Sequence, residues 1–125
     1  MFSINSKDSK PIFEQIIDQV SRYIALGVLE DDEQLPPVRA LARDLGINPN
    51  TVSKAYHECE MLGLIYSVPG KGSYVSPNQK GVDSVINNAY KKIEESYLDL
   101  LRLGEDEIEI FNFLKEVQHD WIYQR

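Results

Sequence analysis

Residues 35–75 read LPPVRALARDLGINPNTVSKAYHECEMLGLIYSVPGKGSYV, and the order of apolar positions and turn formers in this stretch decides the fold. Val38, Leu41, Ala42 and Leu45 recur at i, i+3, i+4, i+7, a spacing that predicts a short helix with one apolar stripe. Pro36-Pro37 stands at its start, where a missing N–H leaves no bond unmade. Gly46 stands at its end, where a left-handed residue closes a helix. Asn48-Pro49 predicts a second start, with Asn48 as N-cap and Pro49 as first helical residue. Val52, Ala55, Cys59 and Leu62 form the stripe of this second helix, with Tyr56 at its flank, and Gly63 ends it. Leu64 to Val68 then reads as a strand, Pro69-Gly70-Lys71-Gly72 as a turn and Ser73-Tyr74-Val75 as a return strand. The fold class expected is mainly α with a small β-hairpin wing, a winged helix-turn-helix.

The side of the second helix away from the stripe carries Asn50, Ser53, Lys54 and His57. It bears donors and acceptors, and acids return only at Glu58 and Glu60. A helix that reads a DNA major groove needs such a face, polar and free of carboxylates where it meets the bases. At the hairpin tip Gly70 and Gly72 let the backbone approach phosphates, and Lys71 adds a positive charge. Arg39 and Arg43, four apart, share the outer face of the first helix. Helix-turn-helix units also occur in proteins that never touch DNA. A second reading therefore stands beside the first: a winged protein-interaction module whose partner binds Phe111, Phe113 and Trp121.

Upstream, Pro11 to Leu29 is expected to be an amphipathic helix whose wide apolar face (Ile12, Ile16, Val20, Tyr23 and Ile24, with Phe13, Ile17 and Leu26 beside them) backs the motif. Lys7 and Lys10 precede it; they are within reach of phosphates but are read as solvated. Downstream, Ser76-Pro77-Asn78-Gln79-Lys80-Gly81 is rich in turn formers and is read as a linker. This places a DNA-binding domain at 1–76 and a helical segment at 77–125. The segment's first helix, about Val82 to Leu103, carries Ile86, Ile93, Tyr97 and Leu101. Gly104 breaks it, and the acidic run Glu105-Asp106-Glu107 opens a second helix with Phe111, Leu114 and Trp121. Two helices cannot enclose a core alone. Ile86, Ile93, Tyr97, Leu101, Phe111, Leu114 and Trp121 are thus the candidate homodimer interface. Packing back on the winged domain remains open, as does an aromatic crevice of Tyr90, Tyr97, Phe111 and Trp121 that holds a small apolar or cationic molecule.

Composition narrows the function classes. Hydrophobic residues make up 42% of the 125, enough for a core, and the single cysteine rules out an internal disulfide. On the apolar stripe Cys59 reads as a small core residue rather than a reactive thiol. No apolar run reaches membrane-spanning length and the N-terminus lacks an apolar leader core, so the compartment expected is the cytoplasm. The formal net charge of −7 excludes a general nucleic-acid coat, so DNA binding must rest on a local basic face. The acids of residues 30–33 are expected to point away from DNA. His57 and His119 are the only histidines, and with a single cysteine no metal-ligand spacing exists. No nucleophile–base set can be drawn, so no enzyme, metal or cofactor is expected. The partners expected are double-stranded DNA and a second copy of the chain; the effector is left unassigned.

Taken together, Leu35-Pro36-x-x-Arg39-x-Leu41-Ala42, Gly46-Ile47-x-x-x-Thr51-Val52, Gly63-Leu64-Ile65 and Gly70-x-Gly72-Ser73-Tyr74-Val75 resemble the N-terminal domain of GntR-family bacterial transcription regulators. The likeness covers about residues 10 to 76. The short two-helix tail, with Asn48-Pro49-Asn50-Thr51-Val52 in the recognition helix, is similar to the YtrA subfamily. The resemblance implies a dimeric repressor, of a kind often encoded beside ABC-transporter genes. It implies DNA contacts from Arg39, from Asn50, Thr51, Ser53 and Lys54 in the recognition helix, and from Gly70, Lys71 and Gly72 at the wing tip. The sequence departs from the family at Pro37, where serine is usual, and at Pro49 and Ser53, where other branches carry arginine. Arg39 is left as the best candidate to read guanine.

Overall fold

Ile16, Val20 and Ile24 fall on one face of the first helix and are all buried, which makes that face the floor of the core. The computed structural model describes residues 1–124. Its elements are α1 (Ile12–Ala25), α2 (Val38–Leu45), α3 (Pro49–Met61), β1 (Ile65–Val68), β2 (Gly72–Val75), α4 (Lys80–Arg102) and α5 (Glu107–Gln124). The chain divides into two compact units, Met1–Ile86 and the stretch from Asn87 onward.

In the first unit α3 packs against both α1 and α2. Val52, Ala55 and Cys59 are fully buried between them, together with Leu35, Leu64 and Val75 from the segments around the hairpin. Tyr56, expected at the flank of the stripe, is itself buried, and its hydroxyl donates to the Pro36 carbonyl at 2.7 Å. Burial pushes the Tyr56 phenol well above its ordinary pKa and the Cys59 thiol up to about 12. Cys59 is therefore a neutral core side chain.

The proline and glycine signals mark the helix ends with two adjustments. Pro37 and Pro11 occupy the N-cap positions of α2 and α1, one residue before the helices begin. Helix α1 stops at Ala25, because Val28 and Leu29 turn their N–H groups back to the Tyr23 carbonyl and Leu29 drops into the core. Gly46 closes α2 at φ 68°, and the Ile47 N–H reaches the Ala42 carbonyl at 3.0 Å.

Strands β1 and β2 pair antiparallel, Ile65 with Val75 and Val68 with Gly72. The acidic loop before Leu35 adds a third, short rung to β2. Asp32 N–H donates to Val75, Val75 N–H to Glu33, and Leu35 N–H to Ser73, all at 2.9 Å. The Asp32 carboxylate also accepts from the Tyr66 hydroxyl at 2.8 Å, which raises the Tyr66 pKa.

The linker is packed rather than free. Ser76 N–H donates to the Leu64 carbonyl at 3.0 Å, and Asn78 and Gln79 turn the chain at positive φ. Gly81 is then laid on the end of α3 so closely that a Cβ there would sit 2.4 Å from Leu64 N and 2.5 Å from Gly63 C. Val82 is buried and Val85 packs on the same core, so the first unit runs to Ile86.

In the second unit the Ile108 N–H is capped by the Asp106 carboxylate at 3.0 Å, as an acidic helix start allows. Tyr97 and Phe111 stack at 6.1 Å between ring centroids and Ile110 is buried. Most of the other apolar side chains are exposed: Ile93 57%, Leu101 40%, Phe111 50%, Leu114 46% and Trp121 60%.

Candidate nucleic-acid interface

The interface is assembled by α2, α3 and the hairpin. Asn48 caps α3 by accepting the Asn50 N–H on its side-chain oxygen at 2.8 Å, and its carbonyl takes the Thr51 N–H at 3.0 Å. These bonds fix the first turn of α3, the part a recognition helix presents to base edges. Asn50, Ser53, Lys54 and His57 are exposed along one side of this helix; Thr51 is half-buried. Arg39 and Arg43 are exposed on α2, with Arg39 in its first turn.

The wing tip turns at Val68–Lys71, where the Lys71 N–H returns to the Val68 carbonyl at 2.9 Å. Pro69 followed by Gly70 at φ 76° is the residue order of a type II turn, which needs a positive φ at its third position. The Lys71 side chain is exposed. Gln34 braces the tip by donating from Nε2 to the Lys71 carbonyl at 3.0 Å. A Cβ on Gly72 would press on that same Nε2 at 3.0 Å. A crevice of about 180 Å³ lies between the start of α2 and the wing, lined by Pro37, Val38, Tyr56, Lys71 and Ser73.

Lys54 differs from its neighbours. Its ammonium lies 4.0 Å from the centroid of the Phe13 ring on α1, a cation–π arrangement. Lys10 is held differently: its ammonium is 2.5 Å from the Asp18 carboxylate, an ion pair that raises its pKa.

Sequence reasoning missed several residues that shape this surface. Gln15 and Gln19 are buried on α1 and hold residues 3–5 along it. Gln15 accepts from Asn5 N–H at 2.8 Å and donates to the Asn5 carbonyl, and Gln19 bonds both backbone groups of Ser3 in the same way. Two amides at i, i+4 beside Ile16 and Val20 are the signal, because a buried polar group demands a partner. Gln34 left no comparable trace, and Phe13 was legible as part of the apolar face of α1 but not as the partner of Lys54.

A three-helix core, a capped recognition helix with an exposed polar face and a glycine-tipped wing together define a winged helix-turn-helix DNA-binding protein. The chain belongs to the GntR family of bacterial regulatory proteins, whose profile matches residues 12–75. It is 34% identical, over 122 residues, to the HTH-type transcriptional repressor YtrA of Bacillus subtilis (strain 168), a match covering 96% of this chain and 94% of that one. Its fold is similar to a solved structure described as a transcriptional antiterminator from Listeria monocytogenes EGD-e, at a TM-score of 0.69 and 36% identity, over 96% of this chain and 91% of that one. It is also similar to the AraR DNA-binding domain solved in complex with operator ORE1, at a TM-score of 0.52 and 29% identity, over 58% of this chain and 89% of that one. The chain is thus a DNA-binding transcription regulator rather than an enzyme, and its partner is double-stranded DNA. Among the described residues, no cluster of His, Cys, Asp and Glu could hold a metal ion, and no helix is long and apolar enough to cross a membrane.

Proposed function

We propose that this protein is a cytoplasmic homodimeric repressor that covers a pseudo-palindromic operator and blocks polymerase. The observation that carries the DNA-facing part is the exposed, acid-free side of α3 beside the wing tip. In this reading Asn50, Thr51, Ser53 and His57 enter the major groove, Lys54 meets a phosphate at its edge, and Arg39 reads a guanine edge from α2. The backbone at Gly70 and Gly72 and the Lys71 ammonium meet the neighbouring phosphates. Residues 1–76 carry this role. Residues 77–125 carry pairing through Ile86, Ile93, Tyr97, Leu101, Phe111, Leu114 and Trp121, a reading supported by their exposure in the single chain, half-buried Tyr97 included. Twofold pairing sets two recognition helices about 34–36 Å apart, one turn of DNA. The resemblance to the YtrA subfamily supports a neighbouring ABC-transporter operon as the regulated target.

The test is binding to the promoter duplex upstream of the protein's own gene at two salt concentrations, with a scrambled duplex as control. Tight, salt-sensitive binding of two chains per site, absent on the control, is the expected result. Arg39→Ala should weaken it roughly 5- to 150-fold, the worth of one bidentate base contact. Unchanged affinity in both Arg39→Ala and Lys54→Ala would overturn the contact assignment.

A further inference from the structure

We propose that Phe13 is a positioning residue for DNA binding: its ring holds the Lys54 ammonium in place without neutralising it. The inference rests on the reading of Lys54 as a DNA contact and adds a residue from outside the helix-turn-helix to it. Lys54 has a carboxylate within helical reach, since Glu58 lies four residues on, at the flank of the polar side of α3. Yet the ammonium sits over Phe13, 4.0 Å from the ring centroid, and among the described residues it makes no ion pair.

The difference matters for a group that must meet a phosphate. A carboxylate positions a lysine and cancels its charge, as Asp18 does to Lys10 at 2.5 Å. An aromatic face attracts the cation through its quadrupole, carries no net charge and accepts no conventional hydrogen bond from it. The four-carbon stem of lysine otherwise samples many rotamers and must be ordered when DNA binds. Phe13 is half-buried on α1, the helix that packs against α3, so the ring is itself fixed. The ammonium is thereby ordered before DNA arrives, its charge is not cancelled by a carboxylate, and the N–H donors that face away from the ring remain for a phosphate.

The experiment is a double-mutant cycle on the full chain. The probe is the tightest duplex that the protein enriches from a random-sequence DNA pool, and affinity is read against salt. Phe13→Leu, which keeps an apolar side chain and removes the ring, should raise Kd about 2- to 5-fold. The same change in a Lys54→Ala background should have no further effect. Lys54→Ala should lower the slope of log K against log salt by about one. Pentafluorophenylalanine at position 13 keeps the shape of the ring and reverses its quadrupole, and should match Phe13→Leu at an unchanged melting temperature. Equal losses from Phe13→Leu with and without Lys54 would make Phe13 merely structural and overturn the proposal. So would full affinity with the fluorinated ring while Lys54→Ala still binds weakly. If Lys54→Ala leaves affinity and slope unchanged, the DNA-contact reading of Lys54 fails first, and the positioning role fails with it.

Discussion

The two units of this chain treat apolar side chains in opposite ways. In Met1–Ile86 the apolar positions of α1, α2 and α3 close on one another, and Ile16, Val20, Val52, Ala55, Cys59 and Val75 have no exposed surface. Beyond Asn87, Ile110 is the one buried apolar side chain among the described residues, while Ile93, Phe113, Trp121 and Tyr123 are at least half exposed. Both stretches have the same kind of pattern, helices with apolar stripes. The difference is one of geometry. Three helices and a hairpin can surround a volume, whereas two helices offer only faces. The first unit is complete within one chain, and the second leaves apolar faces exposed, which is what the proposed pairing would cover.

The largest effect expected comes from the second unit. Leu101→Asp combined with Leu114→Asp places charges on exposed positions and leaves the buried core of the first unit untouched. Sedimentation should show a monomer, and operator affinity should fall about 100-fold or more, because linked half-sites gain that much from being joined. A dimer that survives both changes would assign these faces to another partner and break the contrast.

A smaller effect separates two glycines on either side of the unit boundary. Gly81→Ala forces a Cβ against the Leu64 and Gly63 backbone and should cost about 2–3 kcal/mol of stability. Gly104→Ala has open space around it but a left-handed backbone, φ 86°, and should cost about 1 kcal/mol. Thermal melting of both variants is the measurement. Equal losses would mean that the start of α4 is not held on the first unit.

The smallest effect reads how well the first core is sealed. Cys59 has its pKa raised to about 12 by burial, against an ordinary value near 9. Between those values the unfolded chain holds fewer protons at this group than the folded one, so stability falls as pH climbs from about 9 toward 12. Below pH 9 the group contributes no slope. Denaturant midpoints of the wild type and Cys59→Ala, compared from pH 7 to 10.5, should converge above pH 9. A thiol that reacts with a water-soluble maleimide at pH 7 in the native protein would show that the core is open.

Much of this was legible from residue order. Helices α2 and α3 and the hairpin lie where Pro36-Pro37, Gly46, Asn48-Pro49, Gly63 and Pro69-Gly70 set them, because those residues act through their own backbone torsions and caps. The polar face of α3 followed from helical periodicity alone. What escaped were contacts between positions distant in sequence. The rung that residues 32–35 add to β2 was hidden under an acidic composition that reads as a solvated loop. The Lys54–Phe13 contact joins helices more than forty residues apart, and the Gly81 weld joins the linker to the end of α3.

The sequence by itself determined where helices start and stop, which faces are apolar and which face of α3 is free of acids, since each depends on neighbours within about a turn. Only the tertiary structure decided that Tyr56 is anchored to Pro36, that Gln15 and Gln19 strap the N-terminal residues to α1, and that the expected linker is part of the first unit. Those outcomes depend on which backbone groups meet across the fold, and a polar side chain carries no mark in sequence of the partner it will find once water is excluded.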